Sequence, residues 1–235
     1  MMMTTPSRAL IRRYRQLAVL ASLAFASAIC LALLAVRVLY SDSRNYSFLA
    51  WNLFLAWLPM LCALFAYNAY KRRGRLSWLV VAGCALAWLL FFPNAPYILT
   101  DLMHLRPRPD APLWFDVLLV IAFAWTGLFL GLVSLSLMQA LVRRAAGTLA
   151  SWGFALGVLS LSGFGIYIGR FLRWNSWDVF LSPGGMLADL IDAAQHPLLH
   201  ARSLVFSGLF SLFLVSAYFM LFALTHLQVE ASPSD

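Results

Sequence analysis

Long apolar runs separated by short polar connections dominate the pattern along the chain. A helix needs about 20 predominantly apolar residues to cross a hydrocarbon core of about 30 Å. Lipid offers no hydrogen-bond partner to a bare backbone amide, so such runs must be helical, and the alternation of a membrane barrel does not occur. The sequence predicts one all-α membrane domain over 1–235, a six-transmembrane-helix bundle. The predicted spans are roughly 17–40, 48–70, 76–98, 115–142, 149–172 and 203–227.

The composition agrees with this pattern, because 63% of the residues are apolar and only 11% are charged. A soluble domain is closer to half apolar and a quarter charged. The charges are therefore too few to cover a surface that faces water, and the lipid bilayer is the expected partner. The 17 lysines and arginines do not indicate nucleic acid. They stand in short clusters between apolar runs, as orientation signals do.

Basic residues are denser on one side of the predicted bundle. The N-terminus and the second and fourth connections hold ten of them, whereas the other side holds seven, spread over more residues. Seven of the nine acidic residues fall on that second side. Because the denser basic side faces the cytoplasm, we expect the N-terminus and the C-terminus to be cytoplasmic.

The third predicted span ends in two prolines three residues apart, Pro93 and Pro96. Each lacks an amide donor and clashes with the preceding turn, so the sequence predicts a broken or kinked helix at the outer interface. Near lipid the freed carbonyls need another partner, and Asn94 is well placed to supply one. A short helix is expected to follow, with Asp101 and His104 one turn apart on one face.

The fifth predicted span ends at Arg170, close behind its apolar run. A charge at that depth must reach toward water or pair with a carboxylate. By topology, the nearest acidic candidates are Asp101, Asp116 and Asp178.

Small residues recur at the spacing GxxxG in the fourth and fifth predicted spans. This spacing lets helix backbones approach closely, and it favours close packing of these two helices. The pairs are Gly127 with Gly131, Gly153 with Gly157, and Gly165 with Gly169.

The segment 184–196 has apolar residues on one helical face and polar residues on the other. This pattern predicts a short amphipathic helix along the outer interface, forming a collar or a lid. Asp192 and His196 are four residues apart and can pair on its polar face.

The polar residues of the outer face form one candidate site. Ionisable groups at membrane depth are costly and often mark a site, and broken helices can line a polar cavity. The candidates are Asn94, Tyr97, Thr100, Asp101, His104, Asp116, Arg170, Arg173, Asn175 and Asp178.

A structural interpretation of the same residues stays open. Asp116 would complement the N-terminus of the fourth span, and Thr100 or Asp101 would cap the short helix. Arg170 would extend to the interface among tryptophans that form an aromatic belt. Each residue has such an explanation, but the density of polar residues does not.

Metal ligation has little support in the sequence. Asp101 with His104, or His196 with His200, could supply ligands, but neither pair is a complete set. The chain has no HExxH motif and no Cys/His quartet. The three cysteines lie inside apolar runs, as buried thiols do. We therefore predict no metal site, and the sequence indicates no cofactor.

The stretches FFPNAPYILTDLMHL, LWFDVLL and GFGIYIGRFLRWNSWD carry a resemblance to a known family. They are similar to the signature segments of the bacterial membrane-protein family catalogued as domain of unknown function 1361. The resemblance covers roughly 50–225. It implies a multi-pass protein of the bacterial inner membrane and assigns no catalytic residues.

Three functions stay open, and whether the protein is an enzyme is not decided. One is a membrane enzyme acting on a lipid-linked envelope substrate, with Asp101 or His104 as acid or base and with Arg170 and Arg173 holding a phosphate. The second is a transporter or channel component, which requires a polar path below the level of Pro93. The third is a non-enzymatic assembly or scaffold protein, in which the polar residues pair with one another and leave no pocket.

Overall fold

The computed structural model describes residues 8–72, 74–174, 178–196 and 199–226. The described residues are helical apart from short connections and one isolated bridge between Arg108 and Ala111. The elements in chain order are α1 (Arg8–Ser41), α2 (Phe48–Lys71), α3 (Arg75–Phe91), α4 (Asn94–Tyr97), a 3-10 helix (Ile98–His104), α5 (Leu113–Arg170), α6 (Asp178–Leu181), α7 (Pro183–Gln195) and α8 (Ala201–His226).

Five helical runs in the described chain are long and apolar enough to cross a membrane. The prediction of an all-α protein with several membrane helices is thereby confirmed. The predicted fourth and fifth spans fall within one continuous run. The five runs are Gln16–Ser41, Phe48–Lys71, Leu76–His104, Leu113–Arg170 and Leu204–Thr225.

The long run α5 turns back on itself at Gly147. This residue leaves the helical conformation with φ 87° and ψ 178°, a left-handed φ that glycine tolerates because it has no Cβ. Ser134 and Phe154 lie on opposite sides of it and would be about 30 Å apart along a straight helix. Both contact Trp88, whose Nε1 donates to Ser134 Oγ at 3.1 Å and whose ring stacks on Phe154. The two halves of α5 therefore lie side by side as a hairpin.

The first half of α5 forms the centre of the bundle. Leu119, Phe123 and Leu130 are fully buried there, packed by α1, α2 and the segment that follows α3. The outer helices instead carry exposed apolar side chains, such as Phe25 on α1 and Leu212 on α8. An apolar exterior around a close-packed interior is the arrangement expected when lipid replaces water as the solvent.

Glycines of α5 allow close approaches in the bundle. A Cβ on Gly127 would lie 2.7 Å from the carbonyl oxygen of Ala95, and a Cβ on Gly165 would lie 3.0 Å from Pro93 Cγ. Gly153 and Gly157 face open space within 4 Å. Gly127 and Gly165 thus let the proline-broken segment approach both halves of α5. Residues of the two halves, such as Leu135 and Leu159, also belong to one buried cluster.

Candidate functional site

The proline-broken end of α3 forms one wall of the site. The regular helix ends at Phe91, and α4 and the 3-10 helix follow at once. Asn94 Nδ2 donates to the carbonyl of Phe91 at 3.1 Å, and the amide of Ala95 donates to the carbonyl of Phe92 at 3.1 Å. The second bond gives the Phe92 carbonyl a donor in place of the amide that Pro96 lacks, and the first gives the Phe91 carbonyl a side-chain donor. The predicted break is confirmed, and it positions the segment that carries Asp101.

Asp101 is buried where three elements meet. One of its carboxylate oxygens, Oδ2, accepts a hydrogen bond from Asn52 Nδ2 of α2 at 2.8 Å. The other, Oδ1, lies 3.5 Å from Arg170 Nη1 at the end of α5. Only 1% of the Asp101 side chain is exposed. A buried carboxylate requires such partners, because an unpaired charge in this environment is costly.

Arg170 is held by more than its carboxylate partner. Its Nη2 donates to the carbonyl oxygen of Thr100 at 3.0 Å, and its guanidinium carbon lies 5.9 Å from the centre of the Tyr97 ring. Thr100 Oγ1 in turn donates to the carbonyl of Tyr97 at 2.7 Å. The guanidinium is thus fixed against the 3-10 helix, with 12% of the side chain exposed.

These groups form the polar end of a cleft of about 560 Å³. Its other end is apolar, and leucines of α3 form much of its wall. The cleft opens sideways, because Leu86 and Trp51 on its border are 71% and 54% exposed on the outside of the bundle. Lining side chains include Asn52, Leu55, Leu86, Leu89, Leu90, Pro93, Asn94, Tyr97, Asp101, His104, Arg170 and Trp174.

His104 stands at the rim of this cleft. Its side chain is exposed, and its ring meets that of Phe48 edge to face with centroids 5.5 Å apart. Asp101 and His104, which the sequence places one turn apart, both line the cleft. An exposed imidazole beside a cavity is free to exchange protons, which is the property required of a general acid or base.

Asp116 lies in a different cluster, which we call the Arg37 cluster: Arg37, Tyr46, Arg108, Asp110 and Asp116. Arg37 Nε donates to Asp116 Oδ1 at 2.5 Å, and its Nη2 lies 3.2 Å from Asp110 Oδ2. Arg37 and Asp116 are 2% and 0% exposed. The guanidinium carbons of Arg37 and Arg108 lie 5.7 and 5.2 Å from the centre of the Tyr46 ring. Burial raises the pKa of Tyr46, so its hydroxyl stays neutral in this cluster.

The remaining candidates follow the end of α5. Arg173 is exposed and has a left-handed φ of 64°, where the chain leaves the helix. Asp178 begins α6 and is half-buried. Neither residue is among the described residues that line the cleft. Asn175 lies outside the described residues.

The predicted amphipathic helix is present as α7, and it borders the cleft through Met186. Trp174 Nε1 donates to Asp189 Oδ2 at 2.8 Å and so ties α7 to the end of α5. Asp192 Oδ1 lies 3.3 Å from His196 Nδ1, as their spacing predicted, and its Oδ2 lies 3.4 Å from His200 Nε2. The helix is thus attached to the polar end of the bundle.

The sequence analysis missed one partner of each of two candidate aspartates, Asp101 and Asp116. Asn52 stands alone in an apolar run, and only the fold shows that it faces Asp101. The sequence analysis used Arg37 only as one of the basic residues that indicate orientation. An arginine inside an apolar run needs an anionic partner, and this partner was not predicted. Among the described residues, no group of three or more His, Cys, Asp or Glu side chains is arranged to hold a metal ion.

Comparison with known proteins identifies a family for the chain. Residues 51–230 match the family model described as "Protein of unknown function (DUF1361)". The match covers more than half of the chain, which therefore belongs to this family. No curated protein matches the chain, and no solved structure matches it either. All the described polar residues of the cleft lie within the matched range, whereas Arg37 and Tyr46 precede it.

Proposed function

We propose that this member of the family is a membrane enzyme that acts on the polar head of a lipid-linked amphiphile. The observation that carries the proposal is the shape of the cleft. Its leucine-lined part is continuous with its polar end, and it opens sideways past Leu86 and Trp51. A chain of hydrocarbon could enter from the bilayer while its head remains beside Asp101, His104 and Arg170.

The polar end supports a division of roles. His104 is exposed at the rim and would transfer a proton to or from the substrate head. Arg170 would attract an anionic group such as a phosphate. Asp101 and Asn52 are positioning residues in this proposal, because the buried carboxylate fixes the guanidinium of Arg170 through a 3.5 Å contact.

The two other functions have less support from the cleft. A transporter needs a polar path that continues through the bundle. Away from its polar end, however, the cleft is lined by leucines in the described chain, namely Leu55, Leu86, Leu89 and Leu90. A scaffold whose polar residues only join helix ends needs no cavity, whereas this cleft has a volume of about 560 Å³. Among the described residues, the Arg37 cluster comes nearest to such a network, although Arg37 Nη1 has no hydrogen-bond partner there.

The proposal includes six membrane crossings in a bacterial inner membrane, with both termini in the cytoplasm. The hairpin at Gly147 supports counting α5 twice, because Ser134 and Phe154 contact the same Trp88 side chain. An even number of crossings returns the chain to the side on which it began. The cleft would then face the outer leaflet, since the basic connections lie at the opposite end.

A substitution that fills the cleft tests the proposed entry of an amphiphile. Leu86→Trp places a large ring in the lateral opening, whereas Leu79→Trp places the same ring two turns earlier on the same face of α3, where Leu79 is 67% exposed. Membranes containing each variant are compared with wild type by mass spectrometry of lipids and lipid-linked species. We expect the conversion of a lipid-linked species into its product to fall at least tenfold in Leu86→Trp. The same conversion should be unchanged in Leu79→Trp.

The reaction itself is tested with Asp101→Asn, which keeps the shape of the side chain and removes its charge. Asp42→Asn is the matched control, because Asp42 is exposed and asparagine also tolerates its φ of 50°. We expect conversion per folded molecule to be lost in Asp101→Asn, and the unfolding midpoint to fall as well, because Arg170 loses the carboxylate with which it pairs. Equal conversion by both variants, or a wild-type protein that changes no lipid species, contradicts the enzymatic proposal.

A further inference from the structure

The end of the bundle opposite the cleft holds two cations against one tyrosine. Tyr67 lies on α2 about 22 Å from Asn52 along the helix axis, and it is 6% exposed. Lys71 Nζ lies 4.4 Å from the centre of its ring, and the guanidinium carbon of Arg144 lies 5.4 Å from the same centre. Arg144 Nη2 also approaches the Tyr67 hydroxyl oxygen at 3.5 Å. Two separate connections thus bring their positive charges to one side chain.

This pair of charges has no acidic partner in the part of the chain that the structure describes. The seven acidic residues there all lie at the cleft end, in the 3-10 helix, in α7, near the first turn of α5 or α6, or in the connections after α1 and before α5. Lys71, Arg144 and their neighbours Arg72 and Arg143 are all exposed. The tyrosine ring attracts both cations, but it does not neutralise them. An anion between the two would remove their mutual repulsion.

The surroundings place these cations at the level of lipid headgroups. Tyr70 and Trp78 meet edge to face at 5.6 Å beside the turn between α2 and α3, and such aromatic residues are typical of the membrane interface. Leu76 and Leu79 on the adjoining helix are 75% and 67% exposed, as lipid-facing side chains are. A phosphate with attached hydrocarbon chains therefore fits this position better than a free ion.

We propose that Lys71 and Arg144, held by Tyr67, bind the phosphate of an anionic phospholipid. The phosphate oxygens would accept hydrogen bonds from both side chains, which are charge-assisted and hence stronger than neutral ones. The acyl chains would stay in the bilayer along α3. The lipid would join the end of α2 to the α5 hairpin near Gly147. This site is separate from the cleft, so it does not depend on the proposed reaction.

The test measures binding of dioleoyl phosphatidylglycerol to the purified full chain in neutral detergent by native mass spectrometry. The variant Lys71→Gln/Arg144→Gln removes both proposed ligands. The matched control Arg72→Gln/Arg143→Gln removes the same charge from the same end and leaves the cations on Tyr67 in place. We expect the first variant to lose at least tenfold in affinity and the control to bind as wild type does. Thermal unfolding without added lipid should give similar midpoints for both.

Three outcomes would overturn the proposal. An equal loss in both double variants would show that only the net charge of this end matters. Equal binding of dioleoyl phosphatidylcholine would show that the site does not select an anionic head. Displacement of the lipid by millimolar sodium phosphate would assign the cations to a free anion instead of a phospholipid.

Discussion

Two buried arginine–aspartate pairs lie at the same end of this molecule, and their surroundings differ. Arg37 and Asp116 are 2% and 0% exposed, and Asp110 adds a second carboxylate to the same guanidinium. Arg170 and Asp101 are 12% and 1% exposed, and both line the cleft. The first pair is closed on all sides by protein, whereas the second borders a cavity.

The difference teaches what each pair contributes. A closed ion pair joins α1 to α5, and hydrophobic residues of the same volume could replace it at little cost to stability. A pair beside a cavity also presents part of its charge to a molecule that enters the cavity. Stable packing of the helices does not require such exposure. The Arg37 cluster is therefore expected to stabilise the fold, and the Asp101–Arg170 pair to serve binding and chemistry.

The largest expected effect comes from breaking the closed pair. Arg37→Met leaves the Asp116 carboxylate buried without its cation, and removing one partner of a buried pair costs about 3–5 kcal/mol. We expect a sharp fall in the unfolding midpoint in detergent and in the yield of protein from the membrane. Conversion of lipid species per folded molecule should stay near wild type, because Arg37 lies outside the cleft.

The double variant Arg37→Met/Asp116→Leu is the control for this prediction. It removes both charges, so most of the lost stability should return. A double variant as unstable as Arg37→Met, or one that folds but loses conversion, would contradict the division between the two pairs.

A smaller effect is expected from Gly127→Ala, which acts on the wall of the cleft. The added Cβ would lie 2.7 Å from the Ala95 carbonyl oxygen and 2.8 Å from Ile98 Cδ1. Overpacking of this kind costs about 1–3 kcal/mol, and it pushes the segment that carries Asp101. Conversion should therefore fall together with the free energy of unfolding. Gly157→Ala, with open space around it, is the control and should gain up to about 1 kcal/mol from helix propensity. Equal stability of the two variants would argue against close packing at Gly127.

The features that the sequence predicted well are mostly local, and one more was narrowed to a few candidates by topology. Pro93 and Pro96 break the helix because each removes its own amide donor, whatever surrounds it. The partner of Arg170 was narrowed to three aspartates by topology, and the structure places Asp101 against it at 3.5 Å. The spacing of Asp192 and His196 likewise sufficed for their contact.

The features that could not be predicted depend on which faces meet across the bundle. Arg37 and Asp116 are 79 residues apart in the chain, so their pairing requires knowledge of how α1 packs on α5. Asn52 gives no periodic signal in an apolar helix, although its amide fixes Asp101. The glycine pairs indicated a close approach but not its partner, which is the proline-broken segment.

The smallest expected effect on stability, and the sharpest test of the comparison, is His104→Gln. The side chain is exposed at the rim of the cleft. Among the described residues, the one aromatic ring that it contacts is that of Phe48. Substitutions at such positions usually change stability by no more than about 0.5 kcal/mol. Glutamine keeps hydrogen-bonding capacity but cannot transfer a proton near neutral pH, so conversion of lipid species should fall at least a hundredfold while the unfolding midpoint stays unchanged. A variant that loses stability without losing conversion would instead make the rim of the cleft structural, like the Arg37 cluster.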